Sequence, residues 1–171
     1  MVPDPDLQLQ MVIKALSETV STAVDPDNKV AQEQLHLSIA TLGMMRSRLP
    51  MTRRFYRALA QDALTLAKDL EEKTGQSGAL TQAMNDVGQA LTDPGIENEA
   101  IEQSRARLHE AITDHLAQID KSLGTVARDI VMQGSLGSIE RQRAWFVESG
   151  FEPNADRIPA ISELIQTPDH P

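Results

Sequence analysis

Between Arg46 and Arg57 the chain reads RSRLPMTRRFYR, five arginines with no acidic residue among them, in a protein of formal net charge −9. A guanidinium is planar, permanently charged and rich in N–H donors, so it grips two oxygens of a carboxylate or phosphate at once. Arg46, Arg53, Arg54 and Arg57, with Arg48 in the same run and Phe55 and Tyr56 beside them, are the candidate contacts for an anionic ligand or a protein partner. None of the five has an Asp or Glu three or four residues away, whereas Lys14, Lys29 and Lys68 meet Glu18, Glu33 and Glu72 at that spacing. Local pairs of that kind contribute only about 0.2–0.5 kcal/mol each. Their absence still sends these arginines elsewhere for counter-charge: to neighbouring helices, to solvent, to another subunit or to a ligand.

A second group is aromatic. The chain holds one Trp, one Tyr and three Phe, and three of these five (Trp145, Phe146 and Phe151) fall within seven residues. Such a cluster either caps a core or anchors another molecule, and these three are the candidate interface residues. The histidines offer less. Glu33-x-x-His36 matches half of a di-iron bundle motif, but neither His109 nor His115 supplies the second half, so no metal or other cofactor is expected. His115 lies on an apolar stripe beside Asp114 and reads as a core histidine hydrogen-bonded to a neighbour. The sequence Gly134-Ser-Leu-Gly137-Ser138 lacks the strand, lysine and spacing of a nucleotide loop and reads as a turn. No catalytic residue emerges, and an enzyme is the less favoured class.

Composition narrows the partners. The acidic balance and the shortage of aromatic platforms argue against nucleic acid. With no cysteine, disulfides, thiolate catalysis and zinc–thiolate sites are excluded. The start Met-Val-Pro-Asp-Pro-Asp does not read as a signal peptide, and no run approaches the roughly 18 apolar residues of a membrane span, so a cytoplasmic location without membrane contact is expected.

The elements that must position these residues are helices. Asp4-Pro5 opens a first helix with an N-cap and a proline at the first helical position, and Leu9, Val12, Ile13, Leu16 and Val20 recur at helical spacing. Asp25-Pro26 ends it and opens a second helix with the stripe Leu35, Ile39, Leu42, Met45 and Leu49, stopped by Pro50. Thr52 starts a third, which runs to about Lys73 with Gly75 as its terminator. A shorter fourth carries Leu80, Ala83, Met84, Val87 and Leu91 and ends at Asp93-Pro94-Gly95. The periodicity then predicts one long helix over 97–133, with Gly124 as its weak link at about 1 kcal/mol relative to Ala. After the Gly134–Ser138 loop come a short helix to Ser149 with Gly150 as C-cap, and a last one over 159–165.

Short loops between long amphipathic helices predict an all-α, up-and-down antiparallel bundle of about five main helices over 1–133, with a small helical C-terminal appendage over 134–171 that packs on the bundle or on a partner. The function expected is that of a non-catalytic helical interaction or accessory protein, self-associating as a homodimer or binding another protein. The alternative is a small-ligand-binding protein or enzyme that holds an anionic group with the arginine run.

Overall fold

The computed structural model describes residues 4–150 and 152–166, and all regular structure among them is helical. The protein is an all-α helical bundle protein with a small C-terminal helix. No helix among the described residues is long and apolar enough to cross a membrane. The described residues form two compact units, one from those of Met1–Met51 and Phe146–Ala155, the other from Thr52–Trp145 and those of Asp156–Pro171.

The first unit is a helical hairpin. Helix α1 (Pro5–Ala15) begins where the Asp4 carboxylate accepts from the Asp6 N–H, with Pro5 in the first turn. It continues through a π-helical stretch, Leu16–Val20, into the short α2 (Ser21–Ala23). Asp25 caps a turn by accepting from the Asp27 N–H, and Asn28, not Asp25, caps the next helix by accepting from the Ala31 N–H at 3.0 Å. That helix, α3 (Lys29–Arg48), runs antiparallel to α1: Arg46 near its end meets Asp6, and Gln32 near its start donates to the carbonyl of Val24. Leu9, Ile13 and Leu16, four and three residues apart, supply half-buried residues to this unit, yet Leu35 is its one buried apolar residue among those described.

The second unit contains α4 (Thr52–Thr74), α5 (Gly78–Thr92), α6 (Asn98–Gln118), α7 (Gly124–Phe146, less its last residue) and α8 (Ile161–Leu164). Its contacts fix an up-and-down order. The start of α4 meets the end of α5 through Arg57 and Leu91, and the end of α4 meets the start of α5 through Glu71 and Thr81. The end of α6 returns to the end of α4 through His115 and Thr74. Helix α7 descends α4 from Leu66, beside Gly134, to Phe55, beside Trp145. Leu70, Leu80, Val87, Ile101 and Leu108 are fully buried at the centre, as the stripes on α4, α5 and α6 predict.

Two local expectations change. The long helix breaks at Ile119–Asp120, before Gly124. Ile119 is extended (ψ 154°), and the Asp120 carboxylate accepts from the Ser122 N–H at 2.7 Å, capping a 3₁₀ turn, Lys121–Leu123, from which α7 starts. An Asp that bonds its own backbone two residues on competes with the helix, whereas a single Gly only weakens it. The expected loop at Gly134–Ser138 is instead helical, within α7, so the boundary placed at 133/134 falls inside a helix. Gly134 answers to packing: a Cβ there would sit 2.8 Å from Leu66 Cδ1.

Candidate functional site

The arginine run divides between the two units. In the first, Arg46 lies against Asp6 with both guanidinium branches, Nε to Oδ1 at 2.7 Å and Nη2 to Oδ2 at 3.0 Å. This pairing lowers the Asp6 pKa and raises that of Arg46, chiefly through the hydrogen bond between them. Arg48 is 7% exposed and pairs with Glu148 at 3.1 Å, while Ser47 donates to the other oxygen of Glu148 at 2.8 Å. Glu148 stands in the 3₁₀ turn Val147–Ser149, which Gly150 closes in the left-handed region at φ 80°.

In the second unit the arginines meet backbone carbonyls. Arg53 donates to the carbonyls of Ile96 at 2.7 Å and Pro94 at 2.6 Å, and Arg57 donates to that of Leu91. The last four carbonyls of a helix have no intrahelical partner and carry partial negative charge, so Arg57 meets that need at Leu91, while Arg53 ties down the turn after α5. Arg57 Nη1 is buried with no hydrogen-bond partner among the described residues, and Arg54 is exposed. Tyr56 is half-buried against the core and meets Phe55 edge-on, with ring centroids 5.9 Å apart.

The aromatic candidates also separate. Trp145 stacks on buried Phe55 with centroids 4.0 Å apart and planes 16° from parallel, within the second unit. Phe146, the next residue, is 54% exposed. Phe151 lies outside the described residues.

A polar group that the sequence did not single out gathers where α4, α6 and α7 meet. A cavity of about 230 Å³ is lined there by Asp62, Leu66, Arg105, His109, Ser138 and Gln142 among others, below the roughly 300–1,000 Å³ usual for ligand pockets. Its charges answer one another. Arg141 donates to Asp62 at 2.7 Å and to the carbonyl of Leu164 at 2.9 Å. Arg105 forks onto Glu102, and its Nη1 lies 3.2 Å from His109 Nε2. Arginine can only donate, so that His109 nitrogen accepts and the ring is the neutral Nδ1–H tautomer. Burial first, and then the charge of Arg105, lowers the His109 pKa, with Glu102 opposing, which agrees with a neutral ring. Burial raises the Asp62 pKa against the opposing pull of Arg141. Among the described residues the His109 ring has Arg105 as its hydrogen-bond partner. One signal for the cluster was legible: Arg105 occupies an apolar-stripe position with Glu102 three residues before it and His109 four after.

His115 and His36 take ordinary places. Thr74 donates its hydroxyl to the Leu70 carbonyl and therefore accepts from His115 Nε2 at 2.7 Å. Glu33 and His36 are exposed, and among the described residues no group of three His, Asp or Glu is placed to hold a metal ion. The chain matches no protein-family model, no curated protein sequence and no solved structure.

Proposed function

We propose that the protein is a non-catalytic helical interaction protein whose first unit presents an apolar helix face to a protein partner. The observation that carries this reading is an imbalance in that unit. Among its described residues it buries one apolar residue, Leu35, and leaves Leu7, Met11, Val12, Val20, Val30, Leu37, Met45 and Leu49 exposed at 39% or more. Val30, Leu37 and Met45, seven and eight residues apart, lie along one strip of α3, the spacing at which a helix meets another helix. Burying a side chain of this kind stabilises by about 1.5–3 kcal/mol, so covering several of them with a partner favours association.

An anion-holding pocket built on the arginine run has less support. Arg46 and Arg48 pair with Asp6 and Glu148, Arg53 donates to carbonyls of the turn after α5, and Arg57 donates from Nη2 to a carbonyl of α5 while its Nη1 is buried. The test compares wild type with the double variant Leu37→Glu/Met45→Glu in affinity capture from the native host, with crosslinks mapped by mass spectrometry. Partners crosslinked to α1 or α3 in wild type and lost from the variant support the reading. Identical capture by both proteins removes it.

A further inference from the structure

We propose that the exposed strip of α3 takes an amphipathic helix of another protein, laid antiparallel to α3, with lysines or arginines in its last turn. The proposal rests on the reading of the first unit as an interaction surface, and it adds the chemistry of the partner.

Val30, Leu37 and Met45 are 71%, 50% and 53% exposed. They extend over about 22 Å of α3, roughly four turns, which suits a partner helix of about 16 residues. Carboxylates gather at the Val30 end. Glu33 stands three residues after Val30 and four before Leu37, within about 40° of Leu37 around the helix axis. Asp25 and Asp27 stand in the turn that leads into α3. All three are exposed, and none has an ion pair among those formed by the described residues. Opposing them are the partly positive N-terminus of α3 and Lys29, whose Nζ donates to the Pro26 carbonyl at 2.9 Å. Three carboxylates outweigh both, so this end stays negative. The rest of α3 is balanced: Arg48 is buried against Glu148, Arg46 faces Asp6 on the opposite side, and His36 lies on the flank about 100° from Leu37.

A second copy of this unit does not supply the missing charge. The unit carries eight acidic side chains and four basic ones. Of the four, Lys14 pairs with Glu18 at 3.9 Å, Arg46 with Asp6 and Arg48 with Glu148, and Lys29 already sits at the acidic end. An antiparallel pair of α3 helices therefore brings only committed arginines to Asp25, Asp27 and Glu33, and a parallel pair sets these carboxylates against themselves. The complementary surface is a lysine- or arginine-bearing helix of a different protein. Cations are favoured in the last turn of a helix, where the free carbonyls are partly negative. Antiparallel placement lays that turn over the start of α3, so side-chain charges and helix ends are both complementary. The apolar strip then supplies affinity, and the charges set orientation and partner choice.

The probe is a synthetic helix of about 16 residues with leucines at helical spacing and lysines in its last turn, titrated against the whole chain by fluorescence anisotropy. It is expected to bind with a Kd below about 100 μM at low salt. Replacing its lysines by glutamates, or moving them to the first turn, weakens binding. Asp27→Asn/Glu33→Gln raises the Kd about threefold or more and flattens its dependence on salt. Glu110→Gln/Asp114→Asn removes the same charge from exposed positions of α6 and leaves the Kd unchanged. Leu37→Ser/Met45→Ser, which adds no charge, abolishes binding. No binding of the lysine peptide, equal affinity for the lysine and glutamate peptides, equal effects of the two acid double variants, or binding that survives Leu37→Ser/Met45→Ser overturns the proposal. Self-association by light scattering that Leu37→Ser/Met45→Ser removes would assign the strip to a second copy and overturns it as well. Partners still crosslinked to α1 or α3 in affinity capture, with no binding of the lysine peptide, sink the basic helix alone and leave the first-unit reading in place.

Discussion

Arg141 Nη1 donates to Asp62 Oδ2 at 2.7 Å, and the same guanidinium donates from Nε to the carbonyl of Leu164, so one side chain joins α4 and α7 to the C-terminal helix. Ile161 and Ile165, on either side of Leu164, are buried. This clamp, and not a loop rich in turn residues, holds α8 in the second unit.

The pair has a pH signature. Burial raises the Asp62 pKa above its ordinary value of 3.8 even though Arg141 pulls the other way. A carboxyl with a raised folded-state pKa binds its proton more tightly folded than unfolded, so it contributes stability below 3.8 that is lost as pH rises through the raised value. Asp62→Asn keeps an acceptor for Arg141 and does not titrate. The melting temperature of wild type minus that of Asp62→Asn is therefore expected to fall as pH rises above 3.8 and then level off. A difference that grows over that window contradicts the assignment.

Arg57 is expected to act on stability through the Leu91 carbonyl. Arg57→Ala leaves that acceptor at the end of α5 without its donor and lowers unfolding free energy by about 1–2 kcal/mol in a urea titration. Arg54→Ala, at an exposed position a few residues away, changes it by less than about 0.5 kcal/mol. Equal losses at the two sites would mean that the run acts through its collective charge.

Glycines inside helices separate packing from propensity. Around Gly88, in α5, a Cβ meets nothing within 4 Å, so Gly88→Ala is expected to gain up to about 1 kcal/mol from helix propensity alone. Gly134→Ala adds a Cβ 2.8 Å from Leu66 Cδ1 and 3.4 Å from Leu66 Cβ, and Leu66 is 5% exposed. Overpacking of this kind costs about 1–3 kcal/mol. Thermal denaturation is expected to rank Gly88→Ala above wild type and Gly134→Ala below it.

The Phe55–Trp145 stack supplies an optical probe, since Trp145 is the chain's one tryptophan. Phe55→Leu keeps most of the apolar volume and removes the ring contact, for a loss of about 0.5–1.5 kcal/mol. Tryptophan emission is expected to shift in that variant before any unfolding. An unchanged spectrum would show that the indole sits elsewhere.

Helix existence was legible because it depends on local rules: the cap at Asp4-Pro5, the stop at Pro50, the turn at Asp93-Pro94-Gly95 and apolar residues at a helical period. The interior of α4, α5 and α6 followed from the same period, and so did the burial of His115. What each charged or exposed residue would meet was not written locally. Arg53 and Arg57 had no acidic neighbour in sequence because their acceptors are backbone carbonyls, which every residue carries and no residue type announces. Gly134 looked like a turn because the sequence cannot show Leu66 pressing against it from α4. The stripes of α1 and α3 looked like core stripes, yet burial depends on a second surface, and the described residues of that unit cover them only in part. Sequence by itself determined where the rods form and which sides are apolar, since both arise within a turn or two of chain. Tertiary structure alone decided which of those sides are covered, because covering one takes residues that are distant along the chain.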